Sequence, residues 1–199
     1  MELKRVVVTG LGAITPLGHN VADTWAAVVD GVSGAGPITR FDASLFKTQF
    51  ACEVKDFDPS LYFDRKEARK YDRYAQYAVI AAKEGVEDSG LDLEKVNKNR
   101  VGVIFAAGIG GIRTFEEVGG FYLNEDKGPR FNPFFIPKMI ADIAAGHISM
   151  MYGFHGPNYA TVSACASSTN ALIDAFNNIR LGKADVIVTG GAEAAITVA

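Results

Sequence analysis

Short, unbroken apolar runs alternate along this chain with stretches in which apolar residues recur at helical spacing. Val6, Val7 and Val8 form the first run and lead into Gly10 and Gly12. A β-branched run of this kind predicts a strand buried on both faces. Asn20 then precedes Val21, Trp25, Val28 and Val29, which are spaced for one helix face. Asn20 is a good N-cap, Asp23 puts a carboxylate in the first turn, and Gly31 is a good stop. Residues 33–60 are rich in turn formers with short apolar pieces such as 50–52, and predict a loop or small hairpin.

Asp64 predicts the cap of one long helix, with Glu67 at the capping-box position. Tyr71, Ala75, Ala78, Val79, Ala82 and Val86 form its expected buried stripe, and Ser89 with Gly90 ends it. Residues 101–107 (VGVIFAA) predict a second buried strand that runs into Gly108, Gly110 and Gly111. Residues 113–135 contain Pro129, Pro133 and five phenylalanines, and predict an irregular loop of functional length. Pro137 opens an expected helix through Ile140, Ile143, His147 and Met150 to Gly153. Residues 159–163 predict a third strand, followed at once by Cys165. A helix with Leu172, Phe176 and Ile179 on one face comes next and stops at Gly182. Val186 to Thr189 is the fourth strand, closed by Gly190 and Gly191. Strands alternating with helices imply an α/β fold with a mainly parallel sheet layered against helices. Sites in such folds gather at the carboxyl ends of strands.

Bulk properties narrow the function classes. The chain has 199 residues, 48% hydrophobic and 22% charged, as in an ordinary soluble protein with one core. A net charge of -3 gives no global field for nucleic acid. Two cysteines, Cys52 and Cys165, make a disulfide scaffold an unlikely design, and a reducing cytoplasm is the expected location. The N-terminus lacks a secretory pattern, and no apolar run has the length needed to insert in a membrane.

The chemically informative stretch is 162–168 (VSACASS), between the third strand and its helix. A cysteine at that corner lies near the positive end of the helix dipole and near unpaired backbone N–H groups, and both favour the thiolate. Ala164, Ala166, Ser167 and Ser168 leave room for a substrate. A strained strand–turn–helix corner projects its side chain outward, the geometry of covalent acyl transfer. The competing reading is a small buried hydrophobe, since free cysteine is often buried.

Residues 163–168 (SACASS) resemble the nucleophile motif of the β-ketoacyl-[acyl-carrier-protein] synthases, with Ser163 where that family more often has Thr. Further segments agree in the family's order: 5–12 (RVVVTGLG), 15–18 (TPLG), 41–42 (FD), 65–67 (RKE), 108–111 (GIGG), 132–135 (NPFF), 145–147 (AGH), 156–158 (GPN) and 190–193 (GGAE). The ordered set covers essentially all of residues 1–199 and is most similar to the type II elongating enzymes. The resemblance implies the N-terminal βαβαβ half of a layered thiolase-like fold, as a single domain over 1–199. It implies a decarboxylative Claisen condensation in fatty-acid elongation, with the acyl group carried on Cys165 and malonyl carrier protein as the second substrate. Ile109 is then expected beside Cys165 as a gate of the acyl pocket, with Phe134 as a neighbour. The implied partners are an acyl carrier protein, acyl and malonyl thioesters, and a second copy in a homodimer. The phosphopantetheine belongs to the carrier protein, and no cofactor or metal of the chain's own is implied. The family's two catalytic histidines and lysine lie in a second half that these residues do not include. The chain by itself is therefore expected not to complete the reaction.

Other residues are weighed against this picture. His147 falls on an apolar stripe and is expected to be a hydrogen-bonded core residue, while His19 and His155 are expected at the surface. Cys52 matches no motif and is expected to be structural. Arg65, Lys66, Arg69, Lys70 and Arg73 recur at helical spacing, which ordinarily marks a solvated face. The resemblance makes Lys66, Arg69 and Lys70 a docking patch for the acidic carrier protein. Two rivals stand beside the ketosynthase reading. A nicotinamide-dependent oxidoreductase would use Gly10 and Gly12, but Thr15 replaces the third glycine of that fingerprint. A non-catalytic ketosynthase-like subunit that shapes chain length would have no use for Cys165.

Overall fold

The computed structural model describes residues 3–123 and 132–199. In chain order its elements are α1 (Val21–Val29), β1 (Gly36–Pro37), β2 (Phe50–Ala51), α2 (Arg65–Ala68), α3 (Arg73–Asp88), β3 (Val101–Ala106), α4 (Ile112–Leu123), α5 (Phe135–Met139), α6 (Ile143–Tyr152), β4 (Asn158–Tyr159), α7 (Ser167–Arg180) and β5 (Val186–Gly191). Strands β4, β3 and β5 form a parallel sheet in that order, with β3 in the middle. Val101 pairs with Val186 and Ala106 with Gly191 along β3 and β5, and Val103 pairs with Asn158 of β4. This is the expected α/β architecture with a parallel sheet. Among the described residues no helix is long and apolar enough to cross a membrane.

All of β3 is buried, and its side chains alternate between two layers. Val101, Val103 and Phe105 join a core with Tyr74, Ala75, Ala78 and Val79 of α3 and Ala144, Ala145 and Ile148 of α6. Ile104 and Ala106 point the other way, to Ala171 and Ala175 of α7. A strand buried on both faces must read as a continuous apolar run, which is what residues 101–106 do. Alanines on both facing helices let them approach the sheet closely.

The expected helix from Asp64 to Ser89 is two helices. Asp64 caps only the single turn α2, its Oδ1 accepting from the amides of Lys66 and Glu67 at 2.7 and 2.8 Å. Asp72 then starts α3. Its Oδ1 accepts from the Tyr74 amide, and its Oδ2 accepts from the Thr114 amide at 3.1 Å and from the Thr114 hydroxyl. An aspartate that caps so well competes with helix continuation and breaks it. The helix expected from Pro137 to Gly153 also divides. Ile140 is extended, with ψ 139°, between α5 and α6, and its carbonyl accepts from the buried Tyr74 hydroxyl. The irregular loop expected over 113–135 is largely helical: α4 fills its first part, and residues 124–131 lie outside the described residues.

Val6–Val8 do not form a strand. Lys4 is held instead by its amide, which donates to the Arg180 carbonyl of α7 at 3.0 Å, and by its ammonium, which donates to Asp185 at 3.0 Å, while Val8 is 79% exposed. Gly10 and Gly12 instead lie against the backbone of α3. A β-carbon at either would overlap the carbonyl of Gly85 or Ala81. The glycines serve close packing on a helix, and no strand-to-phosphate turn of the dinucleotide kind is built there. The small hairpin β1–β2 is present. Helix α1 begins where expected, with the Asn20 side chain accepting from the Asp23 amide at 2.7 Å, but its Trp25 and Val29 face solvent.

Because Asp72 joins α3 to α4 through three buried hydrogen bonds, Asp72→Ala is expected to lower unfolding stability by about 2–4 kcal/mol, the sum of a lost cap and an unpaired buried hydroxyl. Urea denaturation followed by circular dichroism measures this, and a loss below about 1 kcal/mol would deny Asp72 that role.

Candidate active site

The carboxyl ends of β3 and β5 and the turn at Ala164 and Cys165 open on one cavity of about 470 Å³. After Tyr159 the chain stays extended to Ser163, turns once as a 3₁₀ helix over Ala164–Ala166, and enters α7 at Ser167. Cys165 sits in the middle of that turn with its thiol exposed. The strand expected over 159–163 is hydrogen-bonded into the sheet only at Asn158 and Tyr159.

The corner is strained and braced. Ala164 holds φ at +50°, in the left-handed region that alanine avoids, at a cost of about 1–3 kcal/mol. Ser167, only 4% exposed, opposes that strain. Its hydroxyl donates to the Ala164 carbonyl at 2.7 Å and accepts from the Ser163 amide at 2.8 Å. Thr161 donates its hydroxyl to the Ser167 carbonyl at 2.8 Å, and Asn170 donates its side-chain amide to the Ser163 hydroxyl at 2.6 Å. With Ser167 occupied in this way, the N-cap position of α7, Ala166, offers no side-chain acceptor. The first-turn N–H groups of α7 thus meet no capping side chain, and the end of the helix dipole is directed at the Cys165 corner.

Ile109, at 58% exposure, lines the cavity beside Cys165, and small residues make up most of the remaining wall. Phe134 precedes α5 and is not among the residues that line this cavity. Lys66 lies in α2, and Arg69 and Lys70 follow it; all three are exposed. Two residues were undervalued in sequence. Ser167 was read only as a small neighbour, although serine at the first position of a helix is a known local brace. Glu193 was read only as part of a glycine-rich stretch, although a carboxylate just past a strand's carboxyl end lies where sites form. Its Oε2 accepts from the Gly108 and Ile109 amides at 2.8 and 2.7 Å.

Cys52 is exposed, contrary to a structural role in the core. His147 is only partly satisfied. Its Nε2 is buried without a hydrogen-bond partner among the described residues, and its ring meets Tyr71 edge-on at 4.3 Å. Burial, and secondarily the charge of Lys70, pushes its pKa down to about 4. The expected hydrogen-bonded core histidine is thus a neutral one set edge-on against Tyr71. Among the described residues no group of three or more His, Cys, Asp or Glu is assembled that could hold a metal. A larger cavity, about 990 Å³, lies elsewhere, where Arg40, Arg73 and Arg113 meet Glu53 and Glu116; neither cysteine lines it.

A parallel α/β sheet with a cysteine at a strained strand-to-helix corner places the chain in the thiolase-like class, and its structural neighbours are ketosynthases. The chain belongs to the β-ketoacyl synthase family: residues 3–199 match the model described as "Beta-ketoacyl synthase, N-terminal domain". It is 47% identical to 3-oxoacyl-[acyl-carrier-protein] synthase 2 of Synechocystis sp. over 99% of this chain and 47% of that one. It is 46% identical to the protein of the same name from Staphylococcus aureus, over 98% of this chain and 47% of the relative. Among solved structures, the ishigamide ketosynthase/chain length factor superposes with a TM-score of 0.86 at 30% identity, over 96% of this chain and 48% of that one. A type II PKS acyl-carrier protein in complex with its ketosynthase bound to the hexaketide gives 0.81 at 26%, over 98% and 52%. The chain spans about half the length of the curated relatives it matches.

His147 makes stability pH-dependent in a defined direction. Its folded pKa of about 4 lies below the ordinary 6.5, so the unfolded chain binds the proton first. Stability is therefore full above the unfolded value and falls as pH drops from about 6.5 toward 4. Urea midpoints at pH 7 and pH 5 are expected to differ less in His147→Phe than in the parent. An unchanged difference would mean that other groups carry the pH dependence.

Proposed function

We propose that these residues form the acyl-accepting half of an elongating β-ketoacyl-[acyl-carrier-protein] synthase of fatty-acid biosynthesis, with Cys165 as the nucleophile. The observation that carries this reading is an exposed thiol on a braced, strained corner that opens on a cavity with a mostly small-residue wall. The names of the relatives support the substrate class. In the acyl-transfer step the Cys165 thiolate attacks the carbonyl carbon of an acyl thioester on the carrier protein's phosphopantetheine. A new carbon–sulfur bond forms, the old one breaks, and the carrier thiol leaves and takes up a proton. In the condensation, malonyl carrier protein loses CO₂ and the resulting carbanion attacks the acyl group on Cys165. The product is a β-ketoacyl carrier protein two carbons longer, and the Cys165 thiolate is released. The condensation requires the histidines and lysine of the family's second half, so only the acyl-transfer step is assigned to these residues. Ile109 serves in this reading as a wall of the acyl pocket, and Phe134, which does not line the cavity, is given no part in it. The complete enzyme is read as a cytoplasmic homodimer with no cofactor of its own.

Intact-protein mass after incubation with an acyl carrier protein thioester is expected to show a gain of one acyl group. The gain should persist in Cys52→Ala and vanish in Cys165→Ala. Acylation that survives in Cys165→Ala would remove the assignment, and inertness of the polypeptide as the cell makes it would favour a non-catalytic chain-length subunit.

The exposed Lys66, Arg69 and Lys70 are proposed as the carrier-protein docking patch. Charge reversal at each is expected to lower kcat/KM for carrier-bound acyl groups by about threefold to tenfold at low salt. The loss should shrink as salt is added, and a small-molecule thioester should be used unchanged. An equal loss with the small thioester would place the effect in folding instead of docking.

A further inference from the structure

The turn that carries Ile109 has little to hold it in place from its own sequence. It follows the end of β3 at Ala106, and Gly108 and Gly110 contribute no side chains. Gly110 adopts φ +85°, and the next backbone anchor is the Gly111 amide, which donates to the Met139 carbonyl at 3.0 Å. Between those points the Gly108 and Ile109 amides converge on a single atom, Oε2 of Glu193, at 2.8 and 2.7 Å. Two adjacent N–H groups directed at one carboxylate oxygen are charge-assisted bonds, the stronger class in proteins.

Glu193 is itself fixed to the sheet. The β3–β5 ladder ends at Ala106 opposite Gly191 and is extended by the Ala192 amide, which donates to the Ala106 carbonyl at 3.0 Å. The carboxylate therefore continues the register of β5 by side chain where backbone pairing stops. The turn it holds also packs on the nucleophile's corner. A β-carbon on Gly108 would lie 3.0 Å from Glu193 Oε2 and 3.6 Å from the Ala164 carbonyl oxygen. Any shift of residues 108–109 is thus felt both at the cavity wall and beside Cys165.

We propose that Glu193 is a positioning residue that holds the Gly108–Ile109 turn against the Cys165 corner and so sets which acyl chains the cavity admits. The proposal rests on the acyl-transfer reading of Cys165. Glu193 acts through the two amides and requires no contact with the acyl group.

The test uses the polypeptide as the cell makes it. Loading of Cys165 from butyryl and dodecanoyl carrier-protein thioesters is followed by intact mass, and the ratio of the two rate constants is compared among variants. Glu193→Ala is expected to change that ratio by about fivefold or more, the scale of a lost pair of charge-assisted bonds. Glu193→Gln keeps an oxygen of the same reach and is expected to hold the ratio within about twofold of the parent. Glu193→Asp keeps the charge but is one methylene shorter, and is expected to behave like Glu193→Ala. This Gln and Asp pair carries the test should Glu193→Ala fold poorly. A ratio unchanged in Ala and Asp, with the parent loading normally, overturns the positioning role. Equal slowing of both chains in every variant also overturns it, since a merely structural residue would do that. Absence of loading in the parent itself removes the acyl-transfer reading first, and this inference with it.

Discussion

The position of every group near Cys165 is referenced to β3. This strand is hydrogen-bonded on both edges and buried on both faces, so it has no freedom to slide or tilt without breaking two ladders and two packed layers. Its register with β5 fixes where Glu193 emerges, and its pairing with β4 fixes where the chain turns toward Cys165. Gly102 shows how tight the arrangement is: a β-carbon there would press on the Pro157 backbone at 2.8 Å, so the strand before the cysteine approaches β3 directly. One buried strand thus aligns three separate stretches of sequence, 106–109, 163–168 and 191–193, at a single end of the sheet.

Which parts of this were legible in sequence follows from what each signal depends on. Residues 101–106 were readable because burial on both faces leaves only one way to write a strand, a continuous apolar run, and 186–189 carry a similar run although β5 is only half-buried. Asn20 and Gly31 were readable because capping is a local hydrogen-bond problem, solved by the residues themselves. Val6–Val8 carry the same local signal as β3, yet form no strand, because strand formation needs a neighbouring edge and none pairs with them among the described residues. Asp72 was missed for the opposite reason. Its local cap competes with a helical pattern that runs straight through it, and the decisive partner, Thr114, is forty-two positions away. Helix α4 was hidden by the adjacent glycines 119 and 120, whose backbone freedom argues against helix. The exposed Leu172, Ile173 and Phe176 of α7 show a limit of periodicity, which marks an apolar face without saying what covers it.

The candidate site was legible at its centre and not at its supports. Cys165 stood out because residues 163–168 resemble a family's nucleophile motif, while its place between a strand and a helix left the reading of a small buried hydrophobe open. Ser167 and Glu193 did not stand out, since a serine and a glutamate are ordinary in any loop. Their roles arise from three-dimensional coincidence. Ser167 lies on the helix side of the corner and closes it with a donated and an accepted hydrogen bond, while Glu193 lies on the sheet side and closes the facing turn. Backbone torsion at Ala164 is unfavourable by itself, so without a brace it would relax and withdraw the thiol.

That division between strain and support also accounts for the composition of the cavity. A thioester carbonyl must come within bonding distance of a sulfur on a tight turn, which excludes bulky neighbours on the turn itself. Ala164, Ser167 and Ser168 satisfy that demand, while Ile109, the large apolar side chain of the cavity wall, lies on the opposite turn. In the proposed reading, reactivity and size selection are therefore built on different strands, β4's extension for the first and β3's end for the second. They meet where Gly108 closely approaches Ala164. An arrangement of this kind allows the wall of the cavity to vary while the nucleophile's corner stays the same, because the strain at Ala164 is balanced within residues 161–170 and owes nothing to Ile109.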